Sequence, residues 1–352
     1  MNESIYLDYQ ATTPMAPEVF AAMEPWLKDN FWNPHSAHVG GRKAAAAVEA
    51  AREQIAALLP AGGRMIFTSG ATEAINLAIK GCGLPVAALA TEHAAVLDCV
   101  EQVDGEVLTV GQDGLCQTQY WEGGLAASML VNNEIGTIQP IADISDAVHR
   151  AGGLLLCDAV QGFGRLMLPD GPDMIAVSAH KIHGPKGIGA LWVRDGIELE
   201  PLLHGGGQEQ GLRSGTLSPA LCVGFGAAVR LATGRMADDQ AHAEALWNRA
   251  TQLFADWTMN GSERFRYKGN LNIRRDGLDV ARLMSECREV MFSAGSACAS
   301  GSGRPSHVLR AIGLSEAQAK SSIRLGWGRY TTMEEIEHAA QIINVAAERQ
   351  LA

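Results

Sequence analysis

Six short runs with apolar centres constrain this chain more than anything else in it. They are "RMIFTSG" (64–70), "PVAALAT" (85–91), "LAASMLV" (125–131), "GLLLCD" (153–158), "MIAVSAH" (174–180) and "IGALWV" (188–193). A strand without polar alternation has to be covered on both faces, which happens in parallel sheets flanked by helices. Amphipathic stretches such as "ATEAINLAIKG" (71–81) and "IADISDAVHRAGG" (141–153) lie between several of the runs. The fold class is therefore α/β, with a mostly parallel sheet at its centre. Ligands in such sheets bind beyond the carboxyl ends of the strands.

The texture changes after about residue 236. "HAEALWNRATQLFADW" (242–257) reads as a long amphipathic helix. Strand-like "NLNI" (270–273), helical "DVARLMSECREV" (279–290), then "MFSAG" (291–295) and "SSIRLGWG" (321–328) follow. The final helix is expected to start at Thr331, which has capping-box spacing to Glu334. These patterns give a large domain over 15–236. A smaller α+β domain is made of 1–14 plus 237–352, and it carries a Gly/Ser-rich loop at about 293–304.

Charge and cysteine usage narrow the function classes. A formal net charge of −11 argues against a sequence-independent grip on nucleic-acid phosphates or an anionic membrane. No apolar run reaches the roughly 18 residues of a membrane helix. The start, "MNESIYLDYQ", lacks a basic-then-apolar leader. The seven cysteines form no C-x-x-C pair and no cysteine/histidine cluster with zinc spacing, so no metal site is expected. A soluble, cytoplasmic protein with reduced thiols is the simplest expectation.

The chemistry concentrates in "VSAHKIHGPKGIGALWV" (177–193). A strand ends, Lys181 follows among Ser178, His180 and His183, and a glycine-rich turn leads to the next strand. Most lysines are solvated surface charge. One at a strand end, partly desolvated, is suited to a Schiff base because desolvation lowers its pKa. Upstream, "LLLCDAVQGFG" places Asp158 directly after an apolar strand, either as a helix N-cap or facing the same cleft. Pyridoxal phosphate asks for such a pair: a lysine for its aldehyde and an acid for its pyridinium nitrogen. "FTSGATEAINLAIKG" supplies a strand, then Ser69-Gly70-Ala71-Thr72, then a helix whose first-turn N–H groups suit a phosphate. "ATEHAAVLD" leaves His93 at another strand end, placed either for a structural role or to lie over a flat ring.

Taken with "LDYQATTP", "VNNEIGTIQPI", "HGGGQEQGLRSGT", "SAGSACASG" and "SSIRLGWGRYTT", these segments resemble, in order, the cysteine desulfurases from about residue 5 to 335. Those are fold-type-I pyridoxal-phosphate enzymes of the class V aminotransferase group. The longer form "SAGSACASGSGRPSHVLRAIG" is similar to group I. The resemblance implies that Lys181 joins the cofactor as an imine, Asp158 pairs the ring nitrogen and His93 stacks on the ring. It implies Gln161 and Asn133 near the ring hydroxyl. Ala71, Thr72, Ser178 and His180 would hold the phosphate, with Thr216 reaching the phosphate of a partner subunit in a homodimer. Arg324 would bind the substrate carboxylate, a role that guanidinium geometry suits independently.

Cys298, on its Gly/Ser tether, would attack the γ-sulfur of L-cysteine and leave as a persulfide. A flexible tether lets one thiol reach the substrate and then a sulfur-acceptor protein. The acceptor stays open among iron–sulfur scaffolds, thiolation relays and selenium metabolism. Three departures from the resemblance stand out: Gln208 and Gln210 in "HGGGQEQG", which bear on partner or gate contacts, a short stretch at 100–125, where a trimmed helix is expected, and an end soon after the last helix, where no docking tail is expected. Selenocysteine lyase chemistry is the nearest alternative, followed by other class V aminotransferases or lyases, which need no loop thiol. A serine acyl enzyme is disfavoured: "SAHK" fits S-x-x-K but lacks the S-D-N and K-T-G companions.

Overall fold

The computed structural model describes residues 4–117, 121–295 and 306–352. The chain runs β1 (Ile5–Tyr6), α1 (Pro17–Lys28), α2 (Val39–Ala56), β2 (Gly63–Thr68), α3 (Ala71–Gly81), β3 (Val86–Leu89), α4 (Ala94–Gln102), β4 (Glu106–Leu108) and β5 (Leu125–Met129). It continues through α5 (Ile141–Arg150), β6 (Leu154–Asp158), β7 (Met174–Ser178), β8 (Gly189–Arg194) and the long α6 (Pro219–Leu253). The remainder is β9 (Thr258–Met259), β10 (Asn270–Arg274), α7 (Val280–Glu286), β11 (Val290–Met291), β12 (Ser293–Ala294), α8 (His307–Ala311), α9 (Glu316–Lys320), β13 (Ser322–Gly326) and α10 (Met333–Leu351).

The large sheet has the order β2-β8-β7-β6-β5-β3-β4. The strand β8 is antiparallel to both neighbours, and the other pairings are parallel. Residues 179–188 join β7 to β8. That link is shorter than the dozen or more residues a parallel crossover needs, so the chain reverses, with Lys181 in the reversal. All six expected runs are strands of this sheet.

Their apolar character follows from period-two alternation between two cores. In β7, Ile175 and Val177 pack into the core under α1, α2, α5 and α6. Met174 and Ala176 face the core under α3 and α4. A second, antiparallel sheet has the order β12-β13-β10-β9, and β1 pairs in parallel with β11. These elements share a third core with α7, α10 and the second half of α6, built on Leu246, Trp247, Leu271, Ile323, Leu325 and Ile343.

Two local expectations are corrected. The helix expected over 242–257 starts at Pro219 and ends at Leu253, so residues 236 and 237 lie inside one continuous helix. Two of its glycines, Gly224 and Gly226, look like breakers in sequence but are close-packing points. A Cβ on Gly224 would lie 2.5 Å from Met23 Sδ, and one on Gly226 2.4 Å from Gln54 Oε1. The last helix is capped by Thr332 with Glu335, one residue later than expected. Thr331 is buried, and its hydroxyl accepts from the Gly328 N–H at 3.3 Å, which leaves the neighbouring threonine to cap.

Among the described residues no helix is long and apolar enough to cross a membrane, and no cluster of three His, Cys, Asp or Glu could hold a metal. Six cysteines fall within them, all as free thiols.

Candidate active site

The carboxyl ends of β2, β5, β6 and β7, with the start of β8, open onto a cavity of about 450 Å³. Strand direction alone brings Ser69–Thr72, Asn133, Asp158, Gln161, Ser178, His180 and Lys181 to its wall, and His93 joins them from the turn after β3. Arg324 enters from β13 of the second sheet.

Asp158 ends β6, and its Oδ1 accepts the Val160 N–H at 3.0 Å. Burial raises its pKa, while that hydrogen bond, His93 and Lys181 pull it down. His93 serves both readings of its position. Its Nδ1 accepts the Ala95 N–H at 3.0 Å as the N-cap of α4, and the ring lines the cavity. With Nδ1 accepting, the neutral ring carries its proton on Nε2, and burial holds its pKa below the usual histidine value.

Lys181 Nζ donates to the carbonyl of Gln10 and, at 2.8 Å, to that of Ala11. His180 Nδ1 lies 3.0 Å from Thr12 Oγ1. Burial and the Lys181 and Lys186 charges lower the His180 pKa to about 4, so this imidazole is neutral at pH 7.

Arg324 is buried, so it is not a surface charge. Its Nη2 donates to Asp8 Oδ1 at 2.7 Å and Ser293 Oγ at 3.3 Å, and its Nη1 to the Asn133 carbonyl at 3.0 Å. The Nε is buried with no partner among the described residues.

Thr216 is exposed and does not line the cavity. Cys298 lies outside the described residues.

The wall also holds residues the sequence reading left without a role: Gln10, Ala11, Lys186 and Gly187. Gln10 and Ala11 belong to a polar stretch that reaches Lys181 from about 170 residues away. Nothing local marks such a contact. "LDYQATTP" carried part of the family resemblance, which was the available signal.

These residues fit pyridoxal phosphate. The α3 N-terminus, capped by Gly70, has no side-chain cap, and a Cβ at Gly70 would meet nothing within 4 Å. First-turn N–H groups therefore face open space, the arrangement a phosphate needs. The Arg324 Nε is an orphaned donor on the same wall. A lysine and a buried carboxylate complete the donor set.

The family model described as aminotransferase class-V matches residues 5–338. "Cysteine desulfurase IscS" of Rickettsia bellii (strain OSU 85-389) is 40% identical over 96% of this chain and 90% of its own length. The protein of that name from Rickettsia rickettsii (strain Iowa) is 39% identical over the same shares. The solved NifS-like protein from Rickettsia africae ESF-5 superposes with a TM-score of 0.91 at 28% identity, covering 98% of this chain and all of the other. A structure titled SspA in complex with cysteine gives 0.79 at 36% identity, over 94% of this chain. Fold, cavity and relatives agree: the chain belongs to the class V aminotransferase family, among its pyridoxal-phosphate-dependent cysteine desulfurases.

Proposed function

We propose that this protein converts L-cysteine to L-alanine and passes the sulfur, through a persulfide on Cys298, to an acceptor protein. The observation that carries the reading is the convergence of Lys181, Asp158, His93 and Arg324 on one cavity at the sheet's carboxyl edge. Bound pyridoxal phosphate supplies an electron sink that makes the bonds at the substrate's Cα labile.

The chain's own residues do the rest. Arg324 offers the substrate carboxylate its unpartnered Nε–H, while Asp8 and Ser293 keep the guanidinium in place. Lys181 Nζ, released from the Gln10 and Ala11 carbonyls, carries the Cα proton. Asp158 balances the positive ring nitrogen. His93, neutral, covers the ring without adding charge.

The substrate Cβ–Sγ bond breaks as a bond forms between that sulfur and Cys298 Sγ. The carbon fragment takes a proton in place of sulfur and leaves as alanine. The Cys298 persulfide then gives up its outer sulfur to the acceptor, which serves iron–sulfur cluster or thiolation pathways. Ala71, Thr72, Ser178 and His180 hold the cofactor phosphate, and Gln161 and Asn133 sit near the ring hydroxyl. A symmetric homodimer, with Thr216 completing the neighbour's phosphate site, and a cytoplasmic location belong to the same reading.

Absorption spectroscopy tests the cofactor half. Protein supplied with pyridoxal phosphate should develop a visible band that Lys181→Ala abolishes. A wild-type protein that stays colourless and takes up no pyridoxal phosphate contradicts the reading.

A further inference from the structure

Arg165 lies outside the residues given a role above, yet its guanidinium touches two of them. Its Nη1 donates to Gln161 Oε1 at 2.8 Å, and its Nη2 donates to the backbone carbonyl of Lys181. Gly164, at φ +68°, turns the chain so that Arg165 faces back toward Gln161, and the guanidinium lies 5.4 Å from the Tyr267 ring centroid. The far end of the Gln161 amide is fixed as well: Nε2 donates to the Gln10 carbonyl at 2.9 Å. Arginine has donors only and a carbonyl accepts only, so this amide has one orientation. The Gln10 carbonyl is also an acceptor for Lys181 Nζ. Gln161's NH₂ group and Lys181's amine are thus aimed at one point.

We propose that Arg165 is a positioning residue that locks Gln161 with its NH₂ group beside the Lys181 nitrogen and pins the Lys181 main chain. The inference rests on the cofactor reading above. Pyridoxal phosphate bears its ring oxygen on the ring carbon adjacent to the one that carries the aldehyde, so a group held beside the lysine nitrogen meets that oxygen. Locked this way, Gln161 offers the ring oxygen a donor and stabilises its ionised form. A flipped amide would offer an acceptor and oppose ionisation. The Arg165 charge also rests on the Lys181 main chain, through its backbone carbonyl.

The test is a pH titration of the visible band in cofactor-loaded wild type, Arg165→Met, Arg165→Lys, Gln161→Ala and the Arg165→Met/Gln161→Ala double variant. Arg165→Met should raise the midpoint by about one pH unit, because the Gln161 donor is no longer held in place and a cation bound to the Lys181 main chain is lost. Arg165→Lys should recover about half the shift, since one ammonium cannot span both acceptors. The double variant should shift by less than the sum of the two single shifts, because Arg165 acts largely through Gln161. If Arg165→Met and Arg165→Lys both titrate like wild type, or the shifts add in full, the positioning role is overturned. A wild type without any visible band would overturn the cofactor reading itself, and this inference with it.

Discussion

Mild acid should destabilise this protein, and one histidine should account for a measurable share. His183 sits two residues after Lys181 in left-handed backbone, at φ +66°. Its N–H donates to Thr13 Oγ1 at 2.7 Å, its carbonyl accepts from the Ala16 N–H at 3.0 Å, and its Nδ1 contacts the Pro14 carbonyl at 2.9 Å. It therefore fastens the N-terminal segment that crosses Lys181. A carbonyl can only accept, so Nδ1 carries the neutral ring's proton and acid must load Nε2. Burial and the Arg329 and Arg165 charges lower its pKa from 6.5 to about 4.

The sign follows from linkage. Between those two values the unfolded chain binds a proton that the folded one refuses. The stabilisation is complete above pH 6.5 and is lost as pH falls through about 4. At 1.36 kcal/mol per pH unit, a gap of about 2.5 units amounts to about 3 kcal/mol. His180, also lowered to about 4, adds roughly half as much after allowing for its contact with water.

The assay is urea unfolding at pH 7, 6, 5 and 4.5, comparing wild type with His183→Asn. Asparagine tolerates left-handed backbone and does not titrate. The variant should lose about 1 kcal/mol at pH 7, because contacts with Tyr9 and Tyr330 are trimmed, and should show a visibly flatter pH slope. Identical slopes for the two proteins would refute the reasoning.

Two further outcomes follow from packing at the same site. A Cβ on Gly326 would lie 1.6 Å from Gln10 Oε1, so Gly326→Ala should cost about 1–3 kcal/mol by overpacking. Adding Gln10→Ser should recover most of that in denaturant midpoint. Arg324→Lys keeps the charge but loses the two-pronged grip on a carboxylate. It should lower kcat/KM for cysteine roughly 10- to 100-fold, as expected for about 1.5–3 kcal/mol of charge-assisted hydrogen bonding, with cofactor affinity unchanged. Steady-state kinetics beside a cofactor titration separates the two effects.

What the sequence disclosed tracks how local each signal is. The six apolar runs were readable as strands because both faces of each are covered, as the split of β7 between two cores shows. The strand β4 was missed: Glu106 and Val107 are exposed, so no apolar run announces it. Asp158, Ser178 and Lys181 were visible because a parallel strand delivers its last residues to one edge. Gln10 and Asp8 were not, since their contacts with Lys181 and Arg324 reach across 171 and 316 residues of chain. Thr331 and Thr332 each have a glutamate three residues on. Tertiary burial, which spacing does not encode, decides which of them caps.

The central claim is that sulfur leaves the substrate on one particular thiol. Burial raises the thiol pKa of Cys82, Cys99 and Cys157, to about 12 at Cys222 and to about 11 at Cys287, so these five stay protonated and poorly nucleophilic at neutral pH. The decisive measurement is peptide mass spectrometry, under non-reducing conditions, of the cofactor-loaded protein after a brief pulse of cysteine. The account predicts an added mass of about 32 Da, one persulfide sulfur, on the peptide containing Cys298. Sulfur mapped instead to Cys157 or Cys287, or a Cys298→Ser variant that releases alanine at the wild-type rate, would contradict it.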